Sequence, residues 1–126
     1  MTDLQLTDRA MFDLVEIRNY SISQFGIAVA NRYIEDVQNS LLLIKEHPGI
    51  LQTKNAFSEA LSFYTVQKHH LVCTVMRDTI VVLTVTHCQI DLIPKITELE
   101  PTLLEEANIL VNAGAIASLF AAPLYS

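Results

Sequence analysis

Ile17-Arg18-Asn19-Tyr20 opens the stretch of sequence that decides the fold, which continues through Phe25-Gly26, Ala30 and Tyr33. Apolar residues recur along it at the spacing of amphipathic helices, on both sides of a glycine that can turn the chain. The pattern ends far downstream at His87-Cys88-Gln89-Ile90-Asp91, after several β-patterned segments. This order predicts a helical hairpin followed by an antiparallel β-meander.

The flanking residues set the limits of the hairpin. Residues 3–7 alternate polar and apolar, which predicts a short first strand, and Thr7 or Asp8 can then cap a first helix that ends within residues 21–26. A second helix is predicted over Ile27–Glu46, because proline and glycine follow it. One face of the second helix is apolar and consists of Ala30, Tyr33, Ile34, Val37, Leu41 and Ile44.

Downstream of residue 56 the sequence favours strands, because valine, threonine and aromatic residues dominate it. The predicted strands are Phe57–Val66, His69–Met76 and Thr79–Thr86. Only two residues separate each pair of strands, so all three should be antiparallel neighbours. The third strand is apolar at consecutive positions, as a central strand covered on both faces would be.

The C-terminal part predicts one more helix. Pro101 suits the first turn of a helix over Thr102 to about Ser118, since that turn needs no N–H from it. We therefore expect an α+β domain over residues 1–96 and an extension over residues 97–126 that is first acidic and then alanine-rich. The apolar end of this extension is too short to cross a membrane.

Composition narrows the class of protein. The chain has 126 residues and 51% hydrophobic residues, which predicts one globular domain. Residues 1–96 carry eight basic and ten acidic side chains, and the remainder adds four glutamates, for a net charge of −6. Because the basic residues are scattered, direct binding of nucleic acid is not expected. The polar, acidic start of the chain favours the cytoplasm, and Cys73 and Cys88 are expected to be buried and reduced.

The order of these elements resembles the ParE branch of the ParE/RelE toxin superfamily from bacterial toxin–antitoxin pairs. The resemblance covers residues 3–96 and includes Tyr20 and Gly26 at the first turn, Pro48-Gly49 after the hairpin, and His87 with Asp91 at the end of the meander. Further matching positions are Leu6-Thr7, Ala10, Asp13-Leu14, Ile17, Ala30, Tyr33, Val37 and His69-His70-Leu71-Val72-Cys73.

The chain departs from the family pattern where the family has cations. Gln89 stands where the terminal motif usually has arginine, and Thr74 stands where the second strand commonly ends in a cation. An arginine near Ala60-Leu61-Ser62 is also absent. These losses put toxicity in question rather than the fold.

The resemblance implies a toxin that binds proteins, poisons DNA gyrase and is neutralised by a cognate antitoxin, with no cofactor. A homodimer or a toxin–antitoxin hetero-oligomer would fit it. The alternatives are a degenerate, non-toxic binding module and, less favoured, a RelE-like ribosome-dependent mRNA endonuclease. The endonuclease would need His69 and His70 in one site, whereas neighbouring strand residues point to opposite faces.

His87 and Asp91 more simply fix the turn after the third strand than act as an acid–base couple. No metal site is indicated, because the four histidines lack clustered cysteine or carboxylate partners. The candidate partner-binding residues, carried over from matched positions, are Tyr20, Tyr33, Val37, Leu41, His69, His70, Arg77, His87, Gln89 and Asp91.

Overall fold

A computed structural model describes residues 2–121 of the chain, with side chains over residues 2–113. Its elements are β1 (Asp3–Leu6), α1 (Asp8–Phe25), α2 (Ile27–Glu46), β2 (Ser62–Val66), β3 (His69–Met76), β4 (Thr79–His87) and α3 (Leu92–Ala121). One turn of 3-10 helix, Pro48–Ile50, follows α2. The α+β class, the first strand, the hairpin, the meander and the last helix are confirmed.

Both ends of α1 are capped by the residues that the sequence predicts. Thr7 is the N-cap of α1, and its side-chain oxygen accepts a hydrogen bond of 3.1 Å from the backbone N–H of Ala10. The same hydroxyl donates to the Leu83 carbonyl at 2.9 Å, which fixes the start of α1 on the sheet. Gly26 has a φ of 89°, a conformation that glycine adopts readily, and it joins α1 directly to α2.

The sheet has the order β1-β4-β3-β2, with β1 parallel to β4 and the other pairs antiparallel. β4 is therefore a central strand, as predicted. Val72 pairs with Thr84 and Cys73 pairs with Val82, so Leu83 is an extra residue that forms a β-bulge. The carbonyl of this bulged residue is the one that Thr7 binds.

Helices cover both faces of the sheet. α1 and α2 cover one face, where the buried residues are Ala10, Val37, Ile44, Val66, Leu71, Cys73, Ile80, Val82 and Val85. α3 covers the other, where the buried residues are Leu61, Phe63, Val72, Val81, Leu83, Ile96, Leu103, Ala107 and Val111. Consecutive β4 residues thus enter different cores, which explains the uninterrupted apolar run.

Two predicted boundaries are wrong. β2 begins at Ser62 rather than at Phe57, because the preceding segment folds into turns in which Leu61 N–H donates to the Ser58 carbonyl at 3.1 Å. Phe57 still contributes to the core through its ring, whose centroid is 5.0 Å from that of Phe63. An aromatic residue can join a core without belonging to a strand.

α3 begins at Leu92, ten residues before the predicted start at Thr102. Asp91 is the N-cap of α3, since its carboxylate accepts a hydrogen bond of 3.3 Å from Ile93 N–H. Pro94, rather than Pro101, is the proline in the first turn of the helix. Pro101 lies inside the helix. The part of the predicted alanine-rich tail at residues 122–126 lies outside the described residues.

The expectation that both cysteines are buried is half right. Cys73 is fully buried between β3 and the hairpin, and burial raises the pKa of its thiol to about 12. Cys88 is exposed, because β4 ends at His87 and the next residue lies in a turn. Both are free thiols.

No helix within the described residues combines the length and apolar character needed to span a membrane.

Candidate partner-binding site

The turn between α1 and α2 displays large apolar side chains to solvent. Tyr20, Phe25, Ile27 and Val29 are 64%, 63%, 59% and 49% exposed, and together we call them the hairpin tip. Tyr20 was predicted as a contact residue, whereas the other three were not. The sequence holds a signal for them, because all three lie within three residues of Gly26 and none belongs to the apolar face predicted for α2.

The charge around the hairpin tip differs from that of the whole chain. Residues 18–32 contain Arg18 and Arg32 and no acidic residue, although the chain carries a net charge of −6. Arg32 is exposed and Arg18 is half-buried. The hairpin tip is therefore apolar with a positively charged border.

A second group forms where α2 meets one end of the sheet. Tyr33 of α2 hydrogen-bonds through its hydroxyl to His69 Nδ1 at the start of β3. The His69 ring packs edge-on against the ring of His87 at the end of β4, with 5.0 Å between centroids. We call Tyr33, His69 and His87 the Tyr33 cluster, and three of the predicted contact residues thus come together.

Burial governs the electrostatics of the Tyr33 cluster. It lowers the pKa of His69 to about 4, with smaller contributions from His87 and His70, so the ring is neutral at pH 7. Burial also raises the pKa of Tyr33, helped by Cys88 and Asp36. Neither group titrates near neutral pH, and we assign the cluster the role of linking α2 to the sheet.

The proton positions follow from the contacts of Tyr33. Its hydroxyl oxygen lies 3.4 Å from the Val66 carbonyl oxygen as well as beside His69 Nδ1. Both contacts are satisfied when His69 donates from Nδ1 to the phenol oxygen and the phenol O–H donates to Val66. This arrangement favours the Nδ1–H tautomer of His69.

His70 lies apart from the Tyr33 cluster, on the other face of β3. Its Nδ1 is 3.1 Å from the Thr65 hydroxyl on the neighbouring strand. Burial lowers its pKa, with a smaller effect from Lys54. His69 and His70 thus face away from each other, as strand alternation predicts, and both are half-buried.

The remaining predicted residues are distributed over several places. Val37 is buried in the core under the hairpin, and Leu41 packs against that core. Arg77 is exposed in the β3–β4 turn, with a φ of 51°. The backbone N–H of Gln89 donates to His87 Nδ1 at 3.0 Å, and Asp91 caps α3. His87 does fix the turn after β4, but it does so through Gln89 rather than through Asp91.

One structural residue was not recognised in the sequence. Asp13 of α1 accepts from the Thr84 hydroxyl at 2.5 Å and from Val85 N–H at 3.0 Å, so it joins the hairpin to the strand just after the bulge. The helix dipole favours an acidic residue in the first half of any helix, so the position of Asp13 in the sequence does not indicate this contact. Among the described residues, no group of three or more histidine, cysteine or acidic side chains is arranged to hold a metal ion.

Comparison with known proteins identifies the family. Among solved structures, a chain described as the chromosomal ParDE toxin–antitoxin system from P. aeruginosa superposes with a TM-score of 0.63 at 15% identity, over 71% of this chain and 98% of that chain. The two chains share an α+β fold. A family model described as the ParE toxin of the type II toxin–antitoxin system, parDE, matches residues 4–92. The protein belongs to the ParE toxin family. No curated protein matches it.

Proposed function

We propose that this protein is the toxin of a type II toxin–antitoxin pair, that it acts in the cytoplasm by binding other proteins, and that its target is DNA gyrase. The observation that carries the proposal is the family match over residues 4–92. A cognate antitoxin neutralises the toxin by binding it. The activity is inhibition through contact and uses no catalytic centre of the toxin's own.

The hairpin tip is the surface that we assign to partner contact. Exposed aromatic and branched side chains lose water favourably when a partner covers them, and tyrosine and arginine are frequent at the centres of interfaces. Arg18 and Arg32 border the hairpin tip without any acidic neighbour in residues 18–32. The matching surface on the partner is therefore apolar at its centre and acidic at its edge.

The endonuclease alternative receives no support from the histidines. His69 is hydrogen-bonded to Tyr33 on the hairpin side of the sheet, and His70 lies beside Thr65 on the other face. A general base must reach the 2′-hydroxyl of an RNA together with its catalytic partner. These two rings cannot do so at one site.

A non-toxic binding module of the same fold is the second candidate, and Gln89 is the observation that favours it. Gln89 is exposed and occupies the position where arginine is usual in the family that the sequence resembles. Thr74, the other lost cation, is 3% exposed, so an arginine there would disturb the core. Gln89→Arg is thus the substitution that tests for a decayed toxin: a gain of growth inhibition on expression would favour this candidate.

The direct test uses purified protein, DNA gyrase and supercoiled plasmid. We expect linear plasmid covalently bound to gyrase, and we expect the protein encoded by the adjacent gene to prevent its formation. If folded protein traps no cleaved plasmid at concentrations well above that of gyrase, gyrase is not the target.

Tyr20→Ala maps the contact surface within the same assay. Tyr20 is exposed and its side chain has no hydrogen bond within the described residues, so its removal should leave folding intact. Met11→Ala is the matched control, because Met11 is a similarly exposed apolar residue nearer the other end of α1. Trapping should fall with Tyr20→Ala and not with Met11→Ala. Equal effects would remove the hairpin tip from the proposal.

A further inference from the structure

α3 covers β3 and β4 on the face of the sheet that lies opposite the hairpin. Ile96, Leu103 and Ala107 are fully buried and Val111 is 9% exposed, and these residues lie against Val72 of β3 and its neighbours on β4. Their positions recur at seven- and four-residue intervals, which places them on one side of the helix. The face is covered by the chain itself.

This helix is an addition to the domain that the family defines. The family match ends at residue 92, where α3 begins. The chain from the ParDE system is matched over 98% of its length by only 71% of this chain. Apart from its first residue, Leu92, α3 therefore lies outside the residues that the family model matches.

The hairpin and α3 cover opposite faces of the sheet, and they differ in the number of side-chain hydrogen bonds that they make to it. The hairpin is bonded to the sheet by Asp13 to Thr84 and by Tyr33 to His69, and Asp36 adds a bond to the β2–β3 turn. Within the described side chains, by contrast, α3 makes no hydrogen bond to the sheet. Its link to another element is the ion pair of Glu106 with Arg9 of α1, at 2.7 Å, and that pair is partly exposed.

The helix is also weakened internally. Pro101 lies in its interior and has no N–H to offer the carbonyl one turn earlier. Ion pairs as exposed as that of Arg9 and Glu106 add little to stability. Because α3 follows all the other elements, it can leave the sheet without displacing any of them.

We propose that α3 is a displaceable cover, which leaves the sheet as a unit while the hairpin stays in place. While bound, it closes the face formed by β3 and β4 to any partner, so binding at that face requires α3 to open. That α3 would regulate partner binding by a toxin rests on the proposed function. Its opening is a property of the fold and can be measured without any toxin assay.

Thiol labelling of two adjacent positions on β3 tests the cover. Cys73 lies under the hairpin and Val72 lies under α3, and both are fully buried. In a Cys88→Ser background, one chain keeps Cys73, and a second carries Val72→Cys with Cys73→Val. The two chains have the same composition and differ only in which cover protects the single thiol.

The free energy of unfolding of each chain is measured in urea, and each labelling rate is corrected for the difference between the two chains. We then expect the thiol under α3 to react at least about tenfold faster than the thiol under the hairpin. Leu103→Ala should accelerate labelling under α3, and the rate under α3 should rise less steeply with urea than the rate at Cys73, because opening of α3 exposes less surface than global unfolding. Ile109→Ala is the matched control, because Ile109 is 58% exposed on the same helix.

Equal corrected rates at the two positions would overturn the proposal, since α3 and the hairpin would then open only together. An equally steep dependence of the two labelling rates on urea would overturn it as well. Fast labelling under α3 in a protein that does not trap gyrase would refute the proposed target and leave the displaceable cover standing.

Discussion

Asp13 offers the sharpest test of how the hairpin is held on the sheet. Its Oδ2 accepts from the Thr84 hydroxyl at 2.5 Å and from Val85 N–H at 3.0 Å, at the point where the bulge at Leu83 ends. Thr84 is 2% exposed, so water does not readily replace the carboxylate. Asp13→Ala therefore removes the acceptor of two donors at once.

The cost follows from the two donors left without a partner. A buried donor that loses its acceptor costs about 1–3 kcal/mol, and the Thr84 hydroxyl can recover part of this by rotating. We therefore expect Asp13→Ala to lower the free energy of unfolding by about 2–4 kcal/mol, a large share of the roughly 5–15 kcal/mol typical of a domain. Asp13→Asn keeps one acceptor oxygen and should cost about half as much.

Urea unfolding followed by circular dichroism measures these differences. Glu16→Ala is the control, because Glu16 lies on the same helix and is exposed. A double-mutant cycle of Asp13→Ala with Thr84→Val should give a coupling energy of about 1 kcal/mol or more. If Asp13→Ala costs no more than Glu16→Ala, or if the cycle is additive, the carboxylate does not hold the hairpin.

Three further changes test other parts of the fold. Lowering the pH from 6.5 towards 4 should reduce the free energy of unfolding by about 1–2 kcal/mol through His69, because its ring gains a proton in the unfolded chain but not in the folded one. This magnitude includes a reduction for the partial exposure of the ring. His69→Gln should remove that loss of stability in urea titrations over the same pH range. Arg77→Asn with Asp78→Gly should stabilise the protein by about 0.5–1 kcal/mol in the same titration, since both residues have positive φ. Pro101→Ala should strengthen α3 and slow thiol labelling beneath it, because the alanine N–H can bond to the Thr97 carbonyl.

Local patterns predicted most of the elements, because their causes are local. Thr7 caps α1 and Gly26 turns the chain through bonds within a few residues, and the Arg77-Asp78 turn depends only on the length of the break between two strands. The predicted start of β2 at Phe57 is wrong because the position of this residue depends on a contact outside the local pattern. Phe57 has the composition of a strand residue but packs by its ring alone.

The candidate site was less predictable, because it depends on long-range contacts. Tyr33 and His69 are 36 residues apart in sequence, and no local pattern indicates that they touch. The predicted start of α3 is wrong because a proline suits the first turn of a helix, and both Pro94 and Pro101 precede apolar residues at helical spacing. The cap by Asp91 decides between them, and that residue had already been assigned to the motif at the end of the meander.

The apolar run of β4 connects the sequence with the cover. A strand covered on one face alternates between apolar and polar residues, whereas this one places Ile80 and Val82 under the hairpin and Val81 and Leu83 under α3. Without α3, these last two would join Val72 and their neighbours in a continuous apolar surface, which monomeric proteins rarely expose. The composition of β4 therefore already requires a second cover, and in this chain α3 supplies it. When α3 opens, the apolar face of β3 and β4 is exposed until a partner binds it or α3 returns to it. Rebinding of α3 and binding of a partner therefore compete for the same face.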